Sequence, residues 1–315
     1  MIIEYVSARV RSYLMLLVVA VIWGFAGPII KYTLNFFDPV TFLTYRFLQT
    51  CLILIPLLLI LEPRIWQHLS RFTPSEWTAL IISGLLGSTV NLGLLFWGYS
   101  LTTAIDATLI NDSLSPILVA LAGHFILREH ITERERLGLF IALTGSVIII
   151  VQPWLESGKL FSGSLSGNLI IFFAALSWAG YSVITKKSLK NQTSPLLLTA
   201  SSFLFGFISM SVIALIFHRP FEMYHRLLSV PVGGHLGVLY MSVLSGALAY
   251  FLFQRAQKTI ETSEANVFLY LPPIFATPLA YFWLGESVTF TFLTGALVIA
   301  AGVYVAETKK RSVGK

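Results

Sequence analysis

Ten apolar runs, each close to the length of a membrane-crossing helix, follow one another along the 315-residue chain. They occupy residues 13–34, 40–61, 77–99, 104–127, 137–151, 165–185, 196–217, 236–254, 265–284 and 290–306. A helix needs roughly 18 to 20 apolar residues to cross the hydrocarbon of a bilayer, and most of these runs approach or exceed that length. The fifth and tenth runs are the shortest. The pattern predicts an all-α membrane protein in which short loops join ten transmembrane helices.

The composition indicates a protein whose surface is covered mostly by lipid. Hydrophobic residues make up 56% of the chain and charged residues 11%, whereas soluble domains carry about 25% charged residues. Ten spans leave no room for a soluble catalytic domain, and the sequence contains neither an H-E-x-x-H nor a G-x-S-x-G motif. Cys51, the only cysteine, lies inside the second run, which excludes disulfides and cysteine-ligated metals. We therefore predict no enzymatic activity, no cofactor and no metal.

The basic residues indicate how the chain is oriented. The formal net charge is +6, but Lys and Arg are scattered among loops and form no single stripe, so we expect no nucleic-acid partner. With Arg9 and Arg11 on the inside, most other Lys and Arg fall in loops on that same side, as the positive-inside rule requires of cytoplasmic segments. Both termini are then cytoplasmic, which requires an even number of spans.

The two halves of the chain repeat each other. The pairs separated by a constant 157 positions are Pro116 and Pro273, Glu129 and Glu286, Thr132 and Thr289, Gly138 and Gly295, and Gly145 and Gly302. Self-similarity over about 150 residues indicates a duplicated unit. Because each unit has an odd number of spans, its second copy enters the membrane upside down, which predicts two inverted five-helix repeats. That architecture is typical of secondary transporters, whose substrate site lies near the midplane where the repeats meet.

An ordered set of motifs, most of them present in both halves, carries a resemblance to a known family. The set comprises Trp23-Gly24, Lys31, Pro39, Arg46, Pro116, Glu129, Gly138, Gly145, Trp178-Ala179, Lys186, Pro273, Gly285-Glu286, Gly295 and Gly302. At these residues the chain resembles the drug/metabolite transporter superfamily, EamA type, over two modules at 14–151 and 167–306. The resemblance implies a carrier of the bacterial inner membrane, often an exporter of amino acids or related metabolites, with a cavity lined by both modules.

Three positions depart from the family pattern or from the internal repeat. Arg128 replaces the glycine expected near the end of the fourth span. Ser202 stands where the second half would repeat Arg46, and Leu269 is the counterpart of Asp112. The acidic side chain at position 112 therefore belongs to one half only.

A level of polar side chains lies within the apolar runs. At about 1.5 Å of rise per residue, Arg46, Asn91 and Asp112 all fall roughly 9 to 12 Å from the outer face. An i, i+3, i+4, i+7 spacing places Thr108, Asn111, Asp112 and Ser115 on one face of the fourth helix. Ionisable groups in a bilayer are costly and are functional candidates by default. These polar side chains are predicted to face the bundle interior or a wet cavity.

Asp112 and Arg46 permit two interpretations. In the functional one, Asp112 either binds a substrate ammonium or titrates during proton-coupled transport, and Arg46 pairs with it in one state. In the structural one, Asp112 and Arg46 form a permanent ion pair and Asn91 satisfies the remaining hydrogen bonds.

Aromatic residues supply further candidate lining for a cavity. Trp23 and Trp178 occupy equivalent mid-membrane positions in the first and sixth spans. Tyr181, Tyr250 and Tyr270 lie in the inner halves of the sixth, eighth and ninth spans, and each hydroxyl needs a partner when buried. Together they suit an apolar or aromatic substrate body, and the alternative is packing between helices.

The sequence thus predicts a secondary transporter that exports small organic metabolites, such as amino acids, by alternating access. A facilitator or channel without ion coupling is the alternative, followed by a membrane-embedded enzyme. No nucleotide-binding motif is present, which excludes ATP-driven transport by this chain alone. The expected partners are a small-molecule substrate, the lipid bilayer and, in a coupled mechanism, protons. Substrate identity, direction, coupling and oligomeric state stay open.

Overall fold

The computed structural model describes residues 2–128, 132–157, 163–217 and 227–307, and helices joined by short loops account for nearly all of them. The long helices, labelled in chain order, are α1 Ile2–Thr33, α2 Pro39–Leu61, α3 Pro74–Leu101, α4 Ala104–Ile126, α5 Glu133–Ser157, α6 Gly163–Lys190, α7 Pro195–Phe217, α8 Val232–Gln257, α9 Thr262–Leu284 and α10 Phe290–Glu307. A short helix, Ile65–Leu69, lies between α2 and α3. These ranges contain no β-strand. Glu129 lies outside the described residues.

Helices α1 to α9 are long and apolar enough to cross a membrane. The apolar part of α10, Phe290–Val305, is shorter, so nine helices of the described chain meet the length criterion where the sequence predicts ten spans. Large apolar side chains point outward from the bundle: Ile60, Phe282 and Leu297 are between 71% and 83% exposed. Such side chains are stable against lipid, and the helices satisfy their own backbone hydrogen bonds there. The chain is a multi-pass membrane protein.

Side-chain caps define where several helices begin. Asp38 accepts hydrogen bonds from the backbone N–H groups of Val40 and Thr41, at 3.1 and 3.0 Å, and Pro39 occupies the first turn of α2. Thr103 caps α4 in the same way through the N–H of Asp106, at 3.0 Å. These caps satisfy N–H groups that have no partner inside the helix.

Departures from α-helical geometry recur in both halves. Helix α3 contains a π-helical segment at Leu85–Leu92, and α8 contains one at Val243–Leu248. The ends of α4 and α9 are also π-helical, and each is followed by a left-handed residue, Arg128 (φ 58°) or Gly285 (φ 68°). Glycine adopts this conformation without strain, whereas other residues do so at a cost.

The prolines interrupt the helices less often than their chemistry suggests. Helix α1 continues through Pro28 and α4 through Pro116. Helix α9 does break, because the 3₁₀ turn Phe268–Tyr270 separates its first segment from the segment that begins at Pro272. Pro at the start of a helix lacks only an N–H that would have no helical partner, so Pro272 suits a new start.

Each main contact between helices has a counterpart when the halves are exchanged. Helix α2 packs on α7, and α5 packs on α10. Helix α1 packs on α8 and α9, as α6 packs on α3 and α4. The α5–α10 contact is close because two glycines meet: a Cβ added to Gly145 would lie 2.7 Å from the Gly295 carbonyl oxygen.

One lysine in each half donates hydrogen bonds to carbonyl groups at the end of another helix. Lys31 of α1 donates to the carbonyl oxygens of Tyr99 and Thr102, at 2.9 and 2.6 Å, at the end of α3. Lys186 of α6 donates in the same manner to the carbonyl of Gln257, the last residue of α8, and to that of Ile260 just after it. Carbonyls at a helix C-terminus have no partner inside the helix, so a lysine ammonium is a suitable donor.

Glu286 joins the two halves at the start of α4. Its carboxylate accepts hydrogen bonds from the backbone N–H groups of Ala104 and Ile105, at 2.7 and 2.9 Å. A carboxylate at a helix N-terminus also interacts favourably with the helix dipole.

Candidate substrate cavity

A cavity lies between the two halves of the bundle. The empty space within it is about 580 Å³, including the part that opens to solvent. Seven of the nine candidate residues line it: Trp23, Arg46, Asn91, Asn111, Asp112, Trp178 and Tyr250. The lining extends from Ile30 and Tyr99, within about 5 Å of the ends of α1 and α3, toward the middle of the bundle. We call the side where α1 ends the first-loop face, and the opposite side the terminal face.

Arg46 is a buried cation in the cavity wall. Its side chain is 1% exposed, and its Nε donates to the Met241 carbonyl oxygen at 2.9 Å. The guanidinium lies over two rings, 5.3 Å from the centre of Phe96 and 5.9 Å from the centre of Phe203. Its Nη1 is buried and has no hydrogen-bond partner among the residues that the structure describes. The site therefore holds the cation in place and leaves donor capacity unused.

Asp112 faces the cavity from α4 and is 8% exposed. The Asn111 amide donates to its carboxylate, Nδ2 to Oδ1, at 2.8 Å. Within the described part of the chain, no ion pair joins Asp112 to Arg46, although both line the same cavity. The permanent ion pair of the structural interpretation is therefore absent from this conformation.

The rest of the polar face on α4 is divided between the cavity and the helix packing. Ser115 lines the cavity, and Thr108 exchanges a hydrogen bond with the Tyr99 hydroxyl at 2.8 Å. Gly27 of α1 accommodates that pair, because a Cβ there would contact both the Thr108 and Tyr99 oxygens. Asn91 lines the cavity from the π-helical segment of α3, and its Nδ2 donates to the Ala174 carbonyl at 2.7 Å.

Trp23, Trp178 and Tyr250 form one aromatic cluster at the inner end of the cavity. The Trp23 ring lies edge-on to Trp178 at 5.7 Å and to Tyr250 at 5.4 Å. The two indoles are held by hydrogen bonds, from Trp23 to the Ser245 carbonyl at 3.1 Å and from Trp178 to Asn266 Oδ1 at 3.0 Å. Fixed rings of this kind present an apolar surface of defined shape.

Two candidate residues lie outside the cavity lining. Tyr181 is fully buried behind Trp178, with ring centres 5.2 Å apart, and its hydroxyl accepts a hydrogen bond from Gln254 at 2.7 Å. Tyr270 is partly buried in the 3₁₀ turn of α9 and does not line the cavity. Tyr181 thus supports the aromatic cluster, and Tyr270 contributes no lining in this conformation.

The family follows from a match that covers both halves of the chain. The model of the EamA-like transporter family matches residues 10–151 and 165–308. This chain belongs to the EamA-like transporter family. It is a membrane transporter of the EamA, drug/metabolite type, and transporters of this family act on small molecules.

Relatives of this EamA-family chain match it over nearly its whole length. An uncharacterized transporter, YyaM of Bacillus subtilis (strain 168), is 28% identical and covers 95% of this chain and 94% of its own. A chain of Salmonella typhimurium named "Probable amino-acid metabolite efflux pump" is 25% identical, with 95% of each chain covered. A solved crystal structure has a TM-score of 0.68, 17% identity and 96% coverage of both chains, which shows that the fold is shared.

Several lining residues of this EamA-family cavity were not among the sequence candidates. Met241 and Ser245 come from the middle of α8, and Leu269 comes from α9. Leu269 is the repeat counterpart of Asp112, so equivalent positions of the two halves line one space. That symmetry is a signal that could have identified Leu269, whereas apolar Met241 carries no such signal. In the described residues, no cluster of His, Cys, Asp or Glu could hold a metal ion.

Proposed function

We propose that this chain is a secondary transporter that exports small organic metabolites, such as amino acids, by alternating access. Ten membrane-crossing helices form two inverted five-helix repeats, at 14–151 and 167–306. Both termini are cytoplasmic, and the membrane is the bacterial inner membrane. The observation that carries the proposal is the cavity between the halves, which combines one buried cation, one buried carboxylate and an aromatic cluster.

The exchange relation between helix contacts supports the inverted repeat. Contacts of α1 with α8 and α9 match those of α6 with α3 and α4, and the Lys31 and Lys186 hydrogen bonds match in the same way. Inverted repeats give a transporter two nearly equivalent arrangements of the same parts, open to opposite faces. The distribution of Lys and Arg supports cytoplasmic termini.

The chemistry of the cavity favours a carrier for polar organic molecules with an apolar part. Arg46 is basic and Asp112 is acidic, and both are nearly inaccessible to solvent, so each would interact strongly with a complementary group of a bound molecule. The rings of Trp23, Trp178 and Tyr250 provide a surface for the apolar part of such a molecule. The efflux activity in the name of the Salmonella typhimurium relative supports amino-acid metabolites as the first class to test.

A transport assay with purified protein tests the proposal. Proteoliposomes are loaded with a panel of radiolabelled amino acids and related metabolites, and efflux is followed with and without an imposed proton gradient. We expect saturable efflux of at least one compound that unlabelled analogues inhibit. Flux that stays linear with concentration, together with unitary conductance in planar bilayers, would show a channel. A response of the efflux rate to the proton gradient identifies coupling, and its absence identifies facilitated diffusion.

A further inference from the structure

Arg46 is an isolated cation in the membrane-spanning bundle. A buried ion without a counter-ion costs several kcal/mol, so such groups normally have an anionic partner. Among the described residues, no carboxylate forms an ion pair with Arg46. Asp112, the carboxylate that shares the cavity, is hydrogen-bonded to Asn111 instead. The missing partner is therefore not supplied by the described part of the protein in this conformation.

The unused donors of Arg46 belong to the outer part of its guanidinium. The Nε–H is bonded to Met241, and the faces of Phe96 and Phe203 fix the position of the group. Nη1 is without a partner in a side chain that is 1% exposed and lines the cavity. Guanidinium N–H groups are strong donors to carboxylate oxygens, so Nη1 is suited to donate to a bound carboxylate.

We propose that Arg46 is the carboxylate-binding group of the cavity and that its ligand also carries an amine, held by Asp112 and Asn111. The ligand is then a zwitterion whose apolar body lies against Trp23 and Trp178. This inference rests on the proposed function, because it specifies the chemistry of the same cavity. It adds a fixed orientation of the ligand, in which the carboxylate faces α2 and the ammonium faces α4.

The charge of the lining favours a carboxylate over a phosphate. Of the described residues that line the cavity, Arg46 is the one with a cationic side chain and Asp112 is the one acid. A phosphate monoester brings close to two negative charges at neutral pH. One guanidinium neutralises only half of that charge, and Asp112 repels the remainder. A single carboxylate with an ammonium leaves the occupied cavity neutral.

Binding of matched small probes to the wild-type protein in lipid nanodiscs tests the assignment. The first series is L-phenylalanine, phenethylamine, which lacks the carboxylate, 3-phenylpropionate, which lacks the amine, and phenyl phosphate. The second series is L-leucine and isoamylamine. We expect each amino acid to bind at least tenfold tighter than its amine, and phenyl phosphate to bind more weakly than L-phenylalanine. Equal binding of the amines, or no binding by the two amino acids, overturns the assignment.

Variants then connect the preference to Arg46. Arg46→Gln is expected to remove the tenfold difference between L-phenylalanine and phenethylamine, and Arg46→Lys to keep part of it. Arg255→Gln, which removes an exposed arginine of α8 outside the lining, is the control and should bind as wild type does. A full preference in Arg46→Gln overturns the assignment. Where Arg46→Gln does not fold, the wild-type series and Arg46→Lys decide.

The two proposals fail in different ways. If proteoliposomes transport amines or neutral compounds and the amino acids neither bind nor compete, the carboxylate site is wrong and the transporter stands. If the carboxylate preference is present and depends on Arg46 but no flux of any compound occurs, the binding assignment stands and the proposed transport function fails.

Discussion

Asp106 and Asp112 are two buried carboxylates on one helix, only one of which faces the cavity. Asp112 is 8% exposed and lines the cavity, whereas Asp106 is 5% exposed near the cap of α4 and does not. We predict that Asp112→Asn lowers the efflux rate at least tenfold, which corresponds to about 1.4 kcal/mol of lost interaction. Asparagine has the same shape and still accepts the Asn111 hydrogen bond, so folding should be retained. Efflux from proteoliposomes measures the change.

Asp106→Asn is the matched control for that measurement. It removes a buried carboxylate from the same helix without touching the cavity, so efflux should stay within a factor of two or so of wild type. An Asp112→Asn variant that transports like wild type, with the same pH dependence, would contradict a functional role for Asp112. Asp112 would then contribute to the packing of α4 and not to transport.

A second prediction at the residue scale concerns Lys31, which donates hydrogen bonds to carbonyl groups at the end of α3. Lys31→Met keeps the apolar stem but leaves the Tyr99 and Thr102 carbonyls without their donor. Unsatisfied buried groups of this kind cost about 1–3 kcal/mol. We expect the free energy of unfolding to fall by that amount in thermal unfolding in detergent. Lys187→Met, at an exposed position of α6, should leave stability unchanged, and equal melting temperatures for both variants would disprove the capping role.

Most of the candidate cavity could be predicted at the residue scale, and the exceptions have a physical cause. The depth of Arg46, Asn91 and Asp112 follows from the helical rise alone, and all three line one cavity. Tyr181 lies at a suitable depth, but its side chain points behind Trp178. The direction of a side chain around a helix axis depends on how neighbouring helices pack, which a single sequence does not show.

At the scale of elements, the two π-helical ends allow a direct test of backbone strain. Arg128 and Gly285 occupy equivalent left-handed positions after α4 and α9, and nothing lies within 4 Å of a Cβ added at Gly285. The left-handed conformation costs a non-glycine residue about 1–2 kcal/mol. We predict that Arg128→Gly raises the free energy of unfolding by about 1 kcal/mol and that Gly285→Ala lowers it similarly. Opposite signs in thermal unfolding would refute this reading of the helix ends.

Arg9, Tyr13 and Glu264 join α1 to α9 at the terminal face. Arg9 Nη2 bonds Glu264 Oε1 at 2.6 Å, and the Tyr13 hydroxyl donates to the same carboxylate while its ring stacks on Phe268 at 5.7 Å. The cavity extends from the opposite, first-loop face. In the alternating-access account this contact is closed here and breaks when the transporter opens to the cytoplasm.

Weakening that contact should shift the protein toward the cytoplasm-open state. In a Cys51→Ser background, Ser245→Cys reports access to the cavity through labelling by a membrane-impermeant maleimide from the cytoplasmic side. We predict that Glu264→Gln increases the labelling rate several-fold and that the exchanged pair Arg9→Glu with Glu264→Arg restores slow labelling. An unchanged rate in Glu264→Gln would show that the contact does not control access.

The elements themselves differ in how far the sequence predicts them. Apolar length predicts the helices, and caps such as Asp38 and Thr103 mark where they begin. The π-helical segments in α3 and α8 carry no local signal, because an i→i+5 hydrogen bond depends on what packs against the widened turn. Likewise Pro28 does not interrupt α1, since the surrounding helices hold that helix continuous.

At the scale of the whole molecule, the halves are alike in scaffold and unlike in chemistry. Each half contains the hydrogen bonds from a lysine to helix-end carbonyls, the matching helix contacts and a π-helical helix end. Arg46 and Asp112 are not repeated in the second half, where Ser202 and Leu269 stand at the corresponding positions. We propose that the duplicated scaffold provides two equivalent arrangements. Arg46 and Asp112 would then belong to one binding site that both arrangements share. A site shared in this way requires a carrier, which opens it to one face of the membrane at a time.

Counterflow exchange in proteoliposomes tests that claim most directly. Vesicles are loaded with an excess of unlabelled substrate from the efflux panel, and entry of a trace of the same labelled compound is followed. A carrier must return its site with each cycle, so we predict that internal substrate accelerates entry of label several-fold and produces a transient accumulation. Asp112→Asn should abolish the acceleration, and Asp106→Asn should retain it. Entry of label at the same rate into loaded and empty vesicles, without accumulation, would contradict the account.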